Sequence, residues 1–292
     1  MAATQWTSDE DLSDLVAIVT GANSGIGRAT AVALASQGAT VVLACRSSER
    51  TRPVVDELVE TTGNRRVEFL PLDLGDFDSV RNAARTFLAS GRPLHLLVNN
   101  AGVAGRRGLT TSGFELAFGT NHVGHFLLTR LLLDRLEASA PTRVVNVSSS
   151  DHLRVQGIDW SRVREPTRSL VGRPEYSMSK LANVCFTQEL ARRHGDGGVT
   201  ALAVDPGPVV TNIWRPIPRP IYWALRVLIR MKPAEAGAAP TLRAALDGSL
   251  VDLNGAYIGA DCSITTPSRH ATPELAAELW RRSDEWVGTA SR

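Results

Sequence analysis

The sequence predicts an α/β fold: one domain over 1–292, built as a doubly wound parallel sheet with helices on both faces. Three observations carry this. Short β-branched or leucine-rich runs alternate with longer segments of helical period as far as about residue 205. Those runs are continuously apolar, not alternating, as expected where helices cover both sides of a sheet. A glycine-rich turn follows the first run and opens a helical segment.

In chain order the predicted strands are "LVAIVT" (15–20), "TVVLAC" (40–45), "RVEFL" (66–70), "HLLVNN" (95–100), "RVVNVS" (143–148) and "VTALAV" (199–204). Helical periods fall between them near 25–37, 48–62, 76–90, 113–138 and 174–194. Repeated strand–helix–strand units imply right-handed crossovers and parallel pairing. No Pro/Gly/Ser linker, repeat or low-complexity tract divides the chain. After 205 the rhythm changes. A basic, aromatic stretch bracketed by prolines, "PIPRPIYWALRVLIRMKP", precedes a helix near 233–247, a last strand in "GAYIGA" and a terminal helix from about 273.

Bulk properties exclude several classes. At 292 residues, 43% apolar and 21% charged, the chain is expected to be soluble and globular. A formal net charge of +2 with no basic run argues against nucleic acid. Cys45, Cys185 and Cys262 are isolated thiols without CxxC pairing, fitting a reducing compartment with neither disulfides nor zinc. The polar, acidic N-terminus is not a secretory or transit signal. No apolar run approaches the ~20 residues of a membrane span, so the expected location is cytoplasmic.

"VTGANSGIGRATA" places Gly21, Gly25 and Gly27 where the chain turns from the first strand into a helix. Glycine there lets the backbone approach a pyrophosphate, which the free amides of a helix N-terminus attract. Dinucleotide binding is favoured over a loop that merely packs, with Gly21, Asn23, Ser24, Gly25, Ile26 and Gly27 as its residues. At the end of the second strand, "VVLACRSSER" offers Arg46 where an NAD site usually places an acid. Arg28 is a candidate second cation. NADP(H) is therefore preferred, with NAD(H) possible; the bland alternative is that both arginines are solvated.

"YSMSK" sets Tyr176 and Lys180 four residues apart, on one face of a helix. Alone, the pair could be ordinary surface side chains. With the glycine turn, "NNAG" (99–102), "NVSS" (146–149) and "DPGPVVT" (205–211) in this order, the chain resembles the short-chain dehydrogenase/reductase family from about 13 to 260. "TGANSGIG", "LACR" and "SKLANVCFTQELARR" resemble its retinol-dehydrogenase-like and WW-domain-oxidoreductase-like branch.

The resemblance implies a Rossmann-type fold and assigns roles. Tyr176 would be the general acid/base, and Lys180 its partner, also holding the nicotinamide ribose. Ser149 would bond the substrate oxygen, with Ser148 the second choice. Asn121 would complete a tetrad through a water relay. Asp73 and Leu74 would lie by the adenine and Asn100, Ala101 and Gly102 along the adenosine. Pro206, Gly207 and Thr211 would border the nicotinamide amide. Asp205 stands where that branch often has histidine, so substrate-side chemistry is expected to differ there. Physically, Lys180 and an oxidised nicotinamide would lower the pKa of Tyr176, and Ser149 would stabilise charge developing on a carbonyl oxygen.

Other features have plainer readings. His122 and His125 lack a carboxylate or cysteine to complete a metal site, so packing or capping is expected and no metal. His152 is a substrate-mouth or plain loop residue. The segment 221–231 could lie on a membrane surface. It is more readily part of a substrate lid over about 208–235, lined by Trp214, Tyr222 and Trp223. The glycosylation sequon at Asn146 falls in a buried strand and is dismissed. The expected activity interconverts a lipophilic alcohol with its ketone or aldehyde. The alternative is an idle NADP(H)-binding sensor or scaffold. The helices at 113–138 and 174–194 could pair two subunits into a homo-oligomer, or be covered within one.

Overall fold

The computed structural model describes residues 11–209 and 231–288. Its strands are β1 (Val16–Thr20), β2 (Thr40–Cys45), β3 (Val67–Pro71), β4 (Leu96–Asn99), β5 (Thr142–Val147), β6 (Val199–Val204), β7 (Tyr257–Ile258) and β8 (Ile264–Thr265). They form one sheet in the order β3-β2-β1-β4-β5-β6-β7-β8. Every neighbouring pair is parallel except β7 with the edge strand β8, which the sequence reading missed. The helices are α1 (Gly25–Ser36), α2 (Ser48–Thr62), α3 (Phe77–Ala89), the single turn α4 (Leu116–Phe118), α5 (Gly124–Ala138), α6 (Arg173–His194), α7 (Ala234–Leu246) and α8 (Pro273–Val287).

The strand order explains where a site forms. The chain winds outward from β1 through β2 to β3, then returns to lay β4 on the other side of β1. Loops leaving β1 and β4 therefore diverge and open a crevice at their C-terminal ends. Period-two alternation feeds two cores. Ile18 faces the layer holding Phe114, Phe126, Phe186 and Trp280, while Ala17 and Val19 face the layer of Leu34, Leu43, Leu58 and Leu202.

Local chemistry sets the helix ends. Ser47 caps α2 by accepting from Arg50 N–H, and Asp76 caps α3 through Asp78 N–H. Ser24, preceding α1, makes no such side-chain cap, so the first amides of α1 stay available to a ligand. The segment expected as one helix over 113–138 is instead α4, a wide π-turn at Gly119–Val123, and then α5. Asn121 holds that widened turn. Its Oδ1 accepts from Val103 N–H at 2.8 Å, and its Nδ2 donates to Val103 O at 3.1 Å and Ser179 Oγ at 2.9 Å.

The face shared by α5 and α6, a candidate for pairing two subunits, is occupied from within. Ala276, Leu279 and Trp280 of α8 are buried on it, and Trp280 meets Phe126 edge-on at 5.1 Å and Phe186 at 5.9 Å. Among the described residues no helix is long and apolar enough to cross a membrane.

Candidate active site

The crevice is walled by the predicted residues of five loops. It is lined by Gly21, Asn23, Ser24, Gly25, Ile26 and Gly27, by Arg46 after β2, and by Asp73 and Leu74 after β3. Asn100, Ala101 and Gly102 follow from the β4 end, with Tyr176, Lys180 and Pro206 at the far side. Two glycines are required by contact. Gly21 has φ +68°, and a Cβ there would sit 2.9 Å from Ala101 Cα; a Cβ on Gly27 would run into Asn100 Nδ2 and lie 2.8 Å from the Gly21 carbonyl. Only a backbone free of side chains closes this tightly around a pyrophosphate-sized space, so the cradle fits a dinucleotide.

Thr20 ties the two sides of the crevice. Its Oγ1 accepts from the Asn100 and Ala101 amides, both at 2.9 Å, and sits 2.8 Å from His125 Nε2. His125 Nδ1 lies 2.9 Å from the Asn121 carbonyl oxygen, so Nδ1–H donates there and Thr20 donates to Nε2. His125 is thus a buried strut between the glycine turn and the π-turn. His122 packs among Phe118, Phe126 and Phe186 and bonds Ser283 Oγ at 3.1 Å. Burial pulls its pKa down to about 3 and that of His125 down to about 4.

At the far side, Ser149 and Ser148 part company. Ser148 is buried and donates to the Lys180 carbonyl oxygen at 2.9 Å. Ser149 lies within hydrogen-bonding reach of the Tyr176 phenol and accepts from Asp151 N–H at 3.3 Å. Lys180 Nζ is 5.4 Å from the Tyr176 ring centroid, and burial pulls the ammonium down to about 8 against the opposing Asp205 charge. Burial pushes the Tyr176 phenol up, Ser149 lowers it, and the Asp151 and Asp205 charges raise it again. Lys180 alone does not produce the lowering expected from it together with an oxidised nicotinamide, because desolvation outweighs a cation bonded elsewhere. Without further positive charge the phenol is a proton donor.

Among the described residues, Ser149, Asn121 and Gly207 stand apart from the lining, which takes in Ser148 instead. Asn121 is fully buried behind Gly102 and Val103. Gly207 (φ +72°) donates its amide to Asp205. Thr211 lies outside the described residues, as do Trp214, Tyr222, Trp223 and most of the expected lid. His152 is buried, not at an open mouth. Its Nδ1 is 2.6 Å from the Ser149 carbonyl, and Nε2 accepts from Ser268 N–H at 3.0 Å. Asn146 is buried and donates to Thr187 Oγ1, closed to glycan attachment.

The cations differ from expectation in one respect. Arg46 faces the crevice, 62% exposed and 3.8 Å from Asp73. Arg28 turns instead to Glu57 of α2. Arg50, one turn into α2, lines the crevice in its place. Arg106 also lines it. Arg50 stands in the first turn of α2, just past the loop that carries Arg46.

A family model described as short chain dehydrogenase matches residues 15–162. "Retinol dehydrogenase 11" of Homo sapiens is 43% identical over 286 residues, covering 97% of this chain and 88% of that protein. Among solved structures, an uncharacterised protein from Mycobacterium paratuberculosis superposes with TM-score 0.76 at 33% identity, covering 96% of this chain and 95% of that one. A short chain dehydrogenase from Burkholderia cenocepacia J2315, in complex with NADP, gives TM-score 0.69 at 28% identity, covering 86% and 97%.

Proposed function

The chain belongs to the short-chain dehydrogenase/reductase family, in its retinol-dehydrogenase-like branch, and from that premise we propose an NADP(H)-dependent interconversion of a lipophilic alcohol with its aldehyde or ketone. It is an oxidoreductase acting on CH–OH groups with NAD(P). The observation that carries the finer reading is the pair of half-buried Tyr176 and buried Lys180, facing the same crevice as the glycine cradle, with Ser149 in reach of the phenol.

When bound, NADP(H) supplies or takes the hydride. The chain's own residues do the rest. Gly21 to Gly27 and the uncapped start of α1 receive the pyrophosphate. Arg46 and Arg50 offer guanidinium groups to a 2′-phosphate. Ser149 donates to the carbonyl oxygen as charge builds there. Tyr176 gives its phenolic proton to that oxygen in reduction and takes one from the alcohol in oxidation. Lys180, buried and cationic at neutral pH, favours the phenolate half of that cycle.

The similarity to a retinol dehydrogenase supports a retinoid-like, elongated apolar substrate. The reading includes one domain throughout and a cytoplasmic location, the latter supported by three thiols in no disulfide. The test is to titrate the purified chain with NADPH and NADH by fluorescence, then offer retinaldehyde and other lipophilic carbonyls. Turnover that Tyr176→Phe abolishes, with NADPH binding kept, supports the enzyme. Tight NADPH binding with no turnover across the panel would favour the sensor instead.

A further inference from the structure

Asp205 joins the ends of two strands. Its Oδ2 accepts from Ser150 N–H at 3.0 Å, across 55 residues of sequence, and its Oδ1 accepts from Gly207 N–H at 2.8 Å. Asp205 is 7% exposed, so water competes little for these bonds. Ser150 opens the 3-10 turn Ser150–Arg154, directly after Ser149, which caps that turn with its own hydroxyl. Gly207 follows Pro206, which lines the crevice. A single carboxylate therefore spans the turn that carries one candidate catalytic group and the loop that closes the cofactor end. His152 braces the same turn from the other side, donating from Nδ1 to the Ser149 carbonyl.

We propose that Asp205 is a positioning residue for Ser149, clamping the serine turn to the loop after β6. The role for Ser149 rests on the dehydrogenase reading above; the clamp itself does not. The charge has a second effect. Asp205 faces Tyr176 and Lys180 from α6, Tyr257 from β7, and His152 from the serine turn, with Asp151 adding a second anion near Tyr176. A carboxylate there opposes formation of a phenolate at Tyr176. Removing its charge eases that ionisation, so the acid limb of alcohol oxidation moves to lower pH.

The experiment compares wild type with Asp205→Asn and Asp205→Glu, both full-length. Amide hydrogen exchange is followed at Ser150 and Gly207, NADPH binding by fluorescence, and kcat across pH with a lipophilic alcohol. Asparagine keeps one acceptor oxygen and loses the charge, so exchange at one of the two amides at least should quicken about tenfold or more in Asp205→Asn. kcat should fall by a similar factor while NADPH affinity changes little, and the acid limb should move down. Asp205→Glu, which keeps the charge but not the geometry, should lower kcat with the limb in place. Unchanged exchange at both amides in folded Asp205→Asn overturns the clamp. If exchange quickens but the wild type turns over nothing, the clamp stands and the dehydrogenase reading falls.

Discussion

Lys180 Nζ donates to the Val147 carbonyl oxygen at 2.9 Å, fixing the amine to the end of the strand from which the serine turn departs. Asn183 Nδ2 shares that acceptor at 3.1 Å. The ammonium is thus held in place before any cofactor arrives, and burial makes its charge costly.

That cost has a sign. The folded pKa is pulled to about 8, below the usual value, so the unfolded chain binds the proton more tightly between about 8 and 10.5. The stability carried by Lys180 is fully present only above that window and is lost as pH falls through about 8. Lys180→Met should therefore raise stability at pH 7 by up to about 3 kcal/mol, and the gain should shrink toward pH 10. Urea unfolding at the two pH values checks it; an equal difference at both would refute the charge argument. The same variant should lose most activity.

Tyr176→Phe removes a hydroxyl and little volume. A positioned general acid/base is worth roughly 10²–10⁴ in rate, so kcat should fall by about that factor while NADPH affinity stays within about twofold. Single-turnover measurements with saturating NADPH separate the two quantities.

The two buried histidines make the fold acid-sensitive. Both folded pKa values, about 3 for His122 and about 4 for His125, lie below the free value of 6.5. Stability is complete above pH 6.5 and is lost as pH falls toward 4, by roughly 3 kcal/mol or more for each group. The urea midpoint should drop steeply between pH 6.5 and 4.5. In a His122→Gln/His125→Gln variant that drop should flatten even if overall stability is lower.

Cofactor choice is predicted to rest on two arginines. Each charge-assisted bond to a phosphate is worth about 1.5–3 kcal/mol, so Arg46→Ala and Arg50→Ala should each weaken NADPH binding about tenfold or more. NADH affinity should hardly change. An Arg46→Asp protein that still prefers NADPH would remove Arg46 from this role. Arg28→Ala, by contrast, should leave the NADPH:NADH ratio alone, since Arg28 is committed to Glu57.

Much of this was legible in the sequence because burial on both faces writes strands as unbroken apolar runs. Thr40–Cys45 and Val199–Val204 coincide with the predicted strands, and the other main strands shift by one residue at one or both ends. The glycine turn was legible because close backbone approach excludes side chains. The π-turn was not. Nothing in "GTNHVGHF" announces that Asn121 will spend its side chain on Val103 and Ser179, contacts 18 and 58 residues away. Ile264–Thr265 is a two-residue, exposed edge strand, too short to show a period. Arg28 and Arg50 exchanged places because their orientation depends on how α1 and α2 pack. The choice between Ser149 and Ser148 likewise waited on which hydroxyl the helix behind them would take.

The aromatic cluster that α8 builds around Trp280 has a kinetic corollary. With α8 packed over the face shared by α5 and α6, two copies are not expected to pair through that face. Specific activity is then expected to survive dilution to nanomolar protein, and saturation curves should be hyperbolic. Trimming the chain before Thr272 should uncover Phe126 and Phe186 and make the protein self-associate, visible as light scattering that grows with concentration.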